Sequence, residues 1–268
     1  MTSSLVRSCL ASCIASTTLL AGCGGGGGDP GGSGPPPTSA TAEGAYAGTA
    51  TRTIAVNAPP VVVSNDLQML VLDDGTFWAV YGFTSGGVAR IAGFVNGSGV
   101  SNNGTFTSSS TQDFGFSSPP SGSLTATYAA KASMQGTVTD TTGNIAFNGT
   151  AVAASSYNYD VAASLQAVQG SWNMLTLVWA PATLTVSATG TLAGSADGCS
   201  FTGTLTPSAK GKNYFVAALT YGAAPCTLAG QISTGIAVAS TLADGRRQLA
   251  IVGVIPARTA GTALIGAR

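Results

Sequence analysis

Apolar and polar residues change places at every step through Leu124–Tyr128, where Leu124, Ala126 and Tyr128 alternate with Thr125 and Thr127. The pattern returns where Leu184, Val186 and Ala188 alternate with Thr183, Thr185 and Ser187. It returns again where Phe201, Gly203 and Leu205 alternate with Thr202, Thr204 and Thr206. A period of two places successive side chains on opposite faces of an extended strand, one face dry and one wet. Threonine serves the wet face well, because a β-branched hydroxyl residue fits an exposed pleat without charge. No long window favours a 3.6-residue period; the best helical candidate is the short stretch Ser155–Gln169. Asp74-Gly75 and Asp244-Gly245 lie between strand-like runs and predict two-residue hairpins in which both central residues adopt positive φ.

The stretch 155–169 reads as a linker between two β-units, 42–154 and 170–268. The first opens with Gly44-Ala45-Tyr46 and closes with Phe147-Asn148-Gly149-Thr150. The second opens with Gly170-Ser171-Trp172 and closes with Leu249–Val254. Each holds roughly six to eight strands, and the shared opening of a small residue followed by an aromatic suggests an internal repeat. The expected fold is therefore all-β: two small antiparallel barrels or sandwiches in tandem.

The first residues have a different character. Arg7 precedes an apolar core from Cys9 to Leu20, and Ala21 and Gly22 stand just before Cys23, so residues 1–22 read as a cleaved export signal rather than a membrane span. Leu20-Ala21-Gly22-Cys23 resembles the lipobox of bacterial lipoproteins. That resemblance implies that Cys23 becomes the new N-terminus and carries the acyl chains. Gly24, where an Asp would retain the protein at the inner membrane, implies transfer to the outer membrane. Residues 23–41, rich in Gly and Pro, have almost nothing to bury and read as a tether. Their glycine run lacks the preceding strand and following Lys of a phosphate-binding loop.

Composition excludes more than it assigns. Ten Lys and Arg balance ten Asp and Glu, and charged residues make up 7% of the chain, against about 25% in ordinary domains. Such a chain lacks the row of cations needed to neutralise nucleic-acid phosphates or hold an anionic membrane surface. There is no histidine, which removes imidazole bases, Ser-His-Asp and Cys-His catalysis, and His-containing metal sites. No G-x-S-x-G or S-x-x-K sequence occurs either. The adjacent pair Asp73-Asp74 runs into Gly75 and reads as a turn; Asp66, Asp113, Asp140, Asp160, Asp197 and Asp244 read the same way. Phe77, Trp78, Tyr81 and Phe83 crowd one strand, Trp172 and Trp179 bracket another, and Tyr157 and Tyr159 sit in the linker. Barrel core accounts for them, with a stacking platform for a glycan or apolar ligand as the alternative. Arg246-Arg247 reads as a solvated hairpin flank.

Of five cysteines, Cys9 and Cys13 leave with the signal and Cys23 takes lipid, leaving Cys199 and Cys226 to pair as a disulfide in an oxidising compartment. The runs C-S-F-T-G-T-L from Cys199 and C-T-L-A-G-Q-I-S-T-G-I-A from Cys226 resemble the C-terminal β-unit of small lipoproteins of Gram-negative bacteria, in which paired cysteines staple adjacent strands. Tandem β-units on a glycine-rich leash also resemble lipidated surface receptors of the transferrin-binding type. The expectation is a non-enzymatic envelope lipoprotein, anchored to the membrane through Cys23 and using no cofactor. Its partner would be a glycan, peptidoglycan or an envelope protein, and not a nucleic acid. A carboxylate-based enzyme and an integral outer-membrane barrel are the alternatives. The Asp residues scattered in sequence and a C-terminus at Gly266-Ala267-Arg268, not an aromatic strand, weigh against them.

Overall fold

The computed structural model describes residues 40–54 and 61–268. Residues 1–39, which include the expected export signal 1–22, Cys23 and most of the expected tether 23–41, lie outside the described residues. The first β-unit contains β1 (Gly44–Ile54), β2 (Val61–Val71), β3 (Thr76–Ser85), β4 (Val88–Ser98), β5 (Val100–Asn102), β6 (Thr105–Asp113), β7 (Ser121–Ala129), β8 (Ser133–Asp140) and β9 (Gly143–Ala151). Every neighbour is antiparallel, β1 pairs with β9, and β4 pairs with β6, so the sheet closes on itself with the short β5 as a flap on β6. One helical turn, α1 (Leu165–Val168), lies between the units; the helix expected over Ser155–Gln169 shrinks to this, the rest of the stretch running as turns and coil that bury Tyr157 and Tyr159.

The second unit is a plain meander of eight strands. They are β10 (Gly170–Thr176), β11 (Pro181–Val186), β12 (Thr191–Ala196), β13 (Cys199–Pro207), β14 (Phe215–Tyr221), β15 (Ile232–Thr241), β16 (Arg247–Val254) and β17 (Gly261–Ala267). β10 closes on β17 through Met174↔Gly266, Leu175↔Ile265 and Thr176↔Leu264. The last strand lies beyond the expected end at Val254. Pro256 and the turn to Ala260 separate it from β16, and its apolar run, Ala263-Leu264-Ile265, is short.

Both barrels are filled. Tyr46, Met69, Phe77, Phe106, Leu124 and Met134 pack inside the first, and Trp172, Leu184, Leu192, Phe201, Phe215 and Leu249 inside the second. An eight-stranded barrel is just wide enough for side chains to occupy its centre, and a void of about 20 Å³ lies among the core side chains of the first. A third apolar cluster, including Leu70, Trp78, Phe94, Phe114, Val252 and Ile265, lies between the barrels on their outer faces. Strands that contribute to an interior and to this seam are buried on both faces. Hence β4 and β16 read as near-continuous apolar runs in place of alternation.

The hairpins at Asp74-Gly75 and Asp244-Gly245 exist, but their geometry corrects the two-residue expectation. At the first, the amide of Gly75 donates to the carbonyl of Leu72 at 3.1 Å and Leu72 donates to Thr76 at 2.8 Å. This is a three-residue loop, a type I turn followed by one left-handed residue, so the glycine alone takes positive φ, at 81° here and 85° at Gly245. Two-residue turns with both residues at positive φ occur at Gly86-Gly87, Asn103-Gly104 and Asp197-Gly198.

Candidate functional site

The seam between the barrels is built from opposed outer faces. Phe94 on β4 stacks on Phe114 with centroids 4.8 Å apart, and Trp78 lies 6.0 Å from Phe94. Gly261 at the start of β17 lets the second barrel approach this stack, since a Cβ there would stand 2.6 Å from the Phe94 ring and 2.7 Å from Phe114. Two turns of the second barrel grip the first. Arg258, at φ 54°, donates to Asn96 Oδ1 and to Gln112 Oε1, both at 2.7 Å. Asn96 and Gln112 are one of only two residue pairs joining β4 to β6, so Arg258 bridges the weakest join of the first barrel. Trp179 donates its indole N–H to the carbonyl of Ile91 at 2.7 Å and meets Phe83 edge-on at 5.5 Å. It occupies the left-handed position, φ 63°, of a three-residue loop whose equivalent is Gly75, Gly190 and Gly245 elsewhere.

The opposed faces do not meet everywhere. A crevice of about 320 Å³ runs between Leu70, Trp78 and Val80 of the first barrel and Ile236, Val238 and Val252 of the second, with Tyr157 at its edge. Beside it lies a groove of about 810 Å³, between the β3–β4 hairpin and the outer face of β10, β11, β12 and β17, with Asn173, Thr183, Ser195 and Asp197 among its walls. Leu242, Ala243 and Gln248 line both. Gln248 is 4% exposed, and its carboxamide Oε1 has no hydrogen-bond partner among the described residues. Leaving such an acceptor dry and unpaired costs about 1–3 kcal/mol. Cavities of this size at the junction of two units, apolar with few polar groups, are where small molecules bind.

A second cluster lies inside the first barrel and corrects the reading of every Asp as a turn residue. Asp113 ends β6 facing inward and is 1% exposed. Arg52 on β1 donates to Asp113 Oδ2, and to Asp140 Oδ2 at 3.3 Å. Tyr81 donates to Asp113 Oδ1 at 2.6 Å and the amide of Gly115 donates to the same oxygen at 2.9 Å. Asp140 also accepts from the Thr142 amide at 2.7 Å, so it serves its turn and the cluster together. Burial pushes the Asp113 carboxyl above its ordinary range, against the opposing pull of Tyr81, Gly115 and Arg52, and burial likewise raises the Tyr81 phenol. The cluster borders a cavity of about 370 Å³ lined by Arg52, Tyr81, Phe83, Phe116 and Trp179. With both Asp113 oxygens engaged, its geometry orients Tyr81 and plugs the barrel end.

The remaining expected residues fall as follows. Cys199 and Cys226 form a disulfide between the start of β13 and the β14–β15 loop. Asp74 accepts from Thr76 within its turn, Asp66 lies exposed on β2 instead of in a turn, and Arg246 pairs with Asp244 at 2.7 Å on its hairpin. Asp160 holds Lys131 and Lys212, which lower its pKa. Phe77 fills the first barrel, Trp172 the second, and Trp78, Tyr157 and Tyr159 the seam. Phe83 and Trp179 depart from the core reading, being 37% and 43% exposed at the cavity beside Arg52. No sequence motif marks Gln248 or Arg52: the first stands between Arg247 and the apolar run from Leu249, and the second is 61 positions from Asp113 and 88 from Asp140.

No protein-family model matches the chain, and no curated protein matches it. Among solved structures the chain is similar to Aeromonas veronii immune modulator A, with 11% identity and TM-score 0.35 over 84% of this chain and 94% of that one. It is also similar to a protein of unknown function from the DUF3598 family of Nostoc punctiforme, with 12% identity and TM-score 0.26 over the same shares.

Proposed function

We propose that the chain is a lipid-anchored lipoprotein of the bacterial envelope, held in the outer membrane through Cys23, that acts by binding and not by catalysis, with the crevice between the barrels as its ligand site. The observation that carries this reading is the unpartnered Oε1 of Gln248, a residue that lines both the apolar crevice and the groove beside it. The barrels support a soluble body on a lipid leash: Leu184 and Val186 point inward while Thr183 and Thr185 are exposed outside, the reverse of the apolar-out, polar-in pattern of a membrane-spanning barrel.

Two measurements test it. Palmitate labelling in cells should mark the wild type and miss Cys23→Ala; an unlabelled wild type removes the anchor. Purified protein should enhance N-phenyl-1-naphthylamine fluorescence saturably. Val238→Trp and Val80→Trp, which fill the crevice from opposite walls, should each abolish this while retaining a cooperative melt. Undiminished binding by both folded variants sinks the site.

The meeting of Asp113 and Asp140 beside a cavity favours a second reading, a carboxylate-based enzyme. Against it stands the full engagement of Asp113 by Arg52, Tyr81 and Gly115. Loss of a cellular activity in Asp113→Asn without change in melting would establish it.

A further inference from the structure

We infer that the ligand of the crevice is a single-chain amphiphile with an uncharged head and an N–H or O–H donor where head meets tail; this rests on the crevice reading above. Three observations converge. The barrel centres are filled, and a void of about 20 Å³ lies among the core side chains of the first; the larger cavities that touch interior residues, at Ala50 and Ile145 in the first barrel and at Phe201 and Leu264 in the second, lie away from the seam. The crevice offers room for an apolar tail: its walls are the outward side chains of Leu70, Trp78, Val80, Ile236, Val238 and Val252, and its volume of about 320 Å³ lies at the small end of ligand sites. The adjoining groove is more than twice as large and mainly apolar, but its walls also carry the amide of Asn173, the hydroxyls of Thr183 and Ser195 and the carboxylate of Asp197, so the polar groups lie to one side of the crevice.

Gln248 lines both cavities, and its backbone is paired with Ser240 of β15 and Ala267 of β17. An unpaired acceptor there is satisfied by a ligand donor and by nothing else among the described residues. Charge narrows the head. The one cation lining the groove, Arg246, is already paired with Asp244, while Asp197 also faces it. A carboxylate or phosphate head would meet carboxylates without a free cation, so the head is uncharged.

The test uses three probes that share one tail: dodecanamide, which has the donor; methyl dodecanoate, which lacks it; and dodecanoate, which is anionic. Each is titrated against protein preloaded with N-phenyl-1-naphthylamine. Dodecanamide should displace the dye about tenfold more tightly than methyl dodecanoate, the scale of one hydrogen bond to a buried acceptor, and dodecanoate should be the weakest. Gln248→Leu should bring dodecanamide within twofold of the ester. Gln248→Met serves should the leucine variant fail to fold. Equal displacement by amide and ester in the wild type, or a tenfold preference that survives in the folded Gln248 variant, overturns the donor; tightest binding by dodecanoate overturns the uncharged head. Failure of the dye to bind, or dye binding untouched by Val238→Trp and Val80→Trp, overturns the crevice itself, so the two readings fail separately.

Discussion

The two barrels share a strand plan and differ in what holds them shut. The second is a meander whose mainly apolar interior holds one hydroxyl cluster, Tyr221 with Ser233 and Thr262, but no ion pair among its described residues, and Cys199–Cys226 ties its β14–β15 loop to β13. The first contains Arg52, Asp113, Asp140 and Tyr81 at one end, has no covalent tie among its described residues, and joins β4 to β6 through only two residue pairs. Help comes from outside, because Arg258 and Trp179 reach across from turns of the second barrel to that same region. The difference teaches that these are unequal partners. The second barrel could close without the first, whereas the first borrows its closure across the seam.

The comparison breaks most sharply at Arg52. Arg52→Met would leave two buried carboxylates facing one another without a cation, and removing one partner of a buried ion pair costs about 3–5 kcal/mol. Urea denaturation should register that loss at neutral pH. The cost should shrink on acidification. The Asp113 carboxyl is raised above its ordinary 3.8 by burial, so its contribution to stability is fully present below that value and is lost as pH rises through the folded pKa. Removing Arg52 raises that pKa further, so the gap from wild type should open as pH rises from about 4 to 7. A variant as stable as wild type at neutral pH would mean that the cluster does not hold the barrel end.

Reduction of Cys199–Cys226 comes next. The cysteines lie 27 positions apart, and closing a loop of that length contributes about 3–4 kcal/mol in the chain-entropy picture. Hydrogen exchange on reduced protein should show protection falling first in β13 and β14, with the first barrel following through the shared seam. A first barrel that loosened before β13 would reverse the proposed dependence.

Much of this was legible in the chain. Thr-faced alternation gave β7, β11 and β13 because each has one wet face, and subtraction gave the disulfide because a single free pair remained. The seam hid because burial on both faces erases alternation: Leu249-Ala250-Ile251-Val252-Gly253-Val254 looks like any core strand, although Ala250 and Val252 face the other barrel. The ionic cluster hid because barrel closure, not local spacing, unites Arg52 with Asp113 and Asp140. Asp-Gly announced hairpins, yet Trp179 takes the same backbone position as glycine and carries no turn signal at all.

Trp179 supplies the smallest effect and the finest test of the seam. A bulky residue in the left-handed region costs about 1–2 kcal/mol that glycine would not. Against this stand its indole hydrogen bond to Ile91, about 0.5–1.5 kcal/mol, and its edge-on contact with Phe83, about 0.5–1.5 kcal/mol. Trp179→Gly loses the contacts and relieves the backbone, so its net change should stay within about 1 kcal/mol. Trp179→Ala loses the same contacts and keeps a Cβ at positive φ, so it should be less stable than the glycine variant by about 1 kcal/mol. Thermal melts of the two, side by side, read the order directly. Should the alanine variant equal or exceed the glycine one, the loop has relaxed out of the left-handed conformation, and the grip of the second barrel on the first would then rest on Arg258 and the Phe94–Phe114 stack alone.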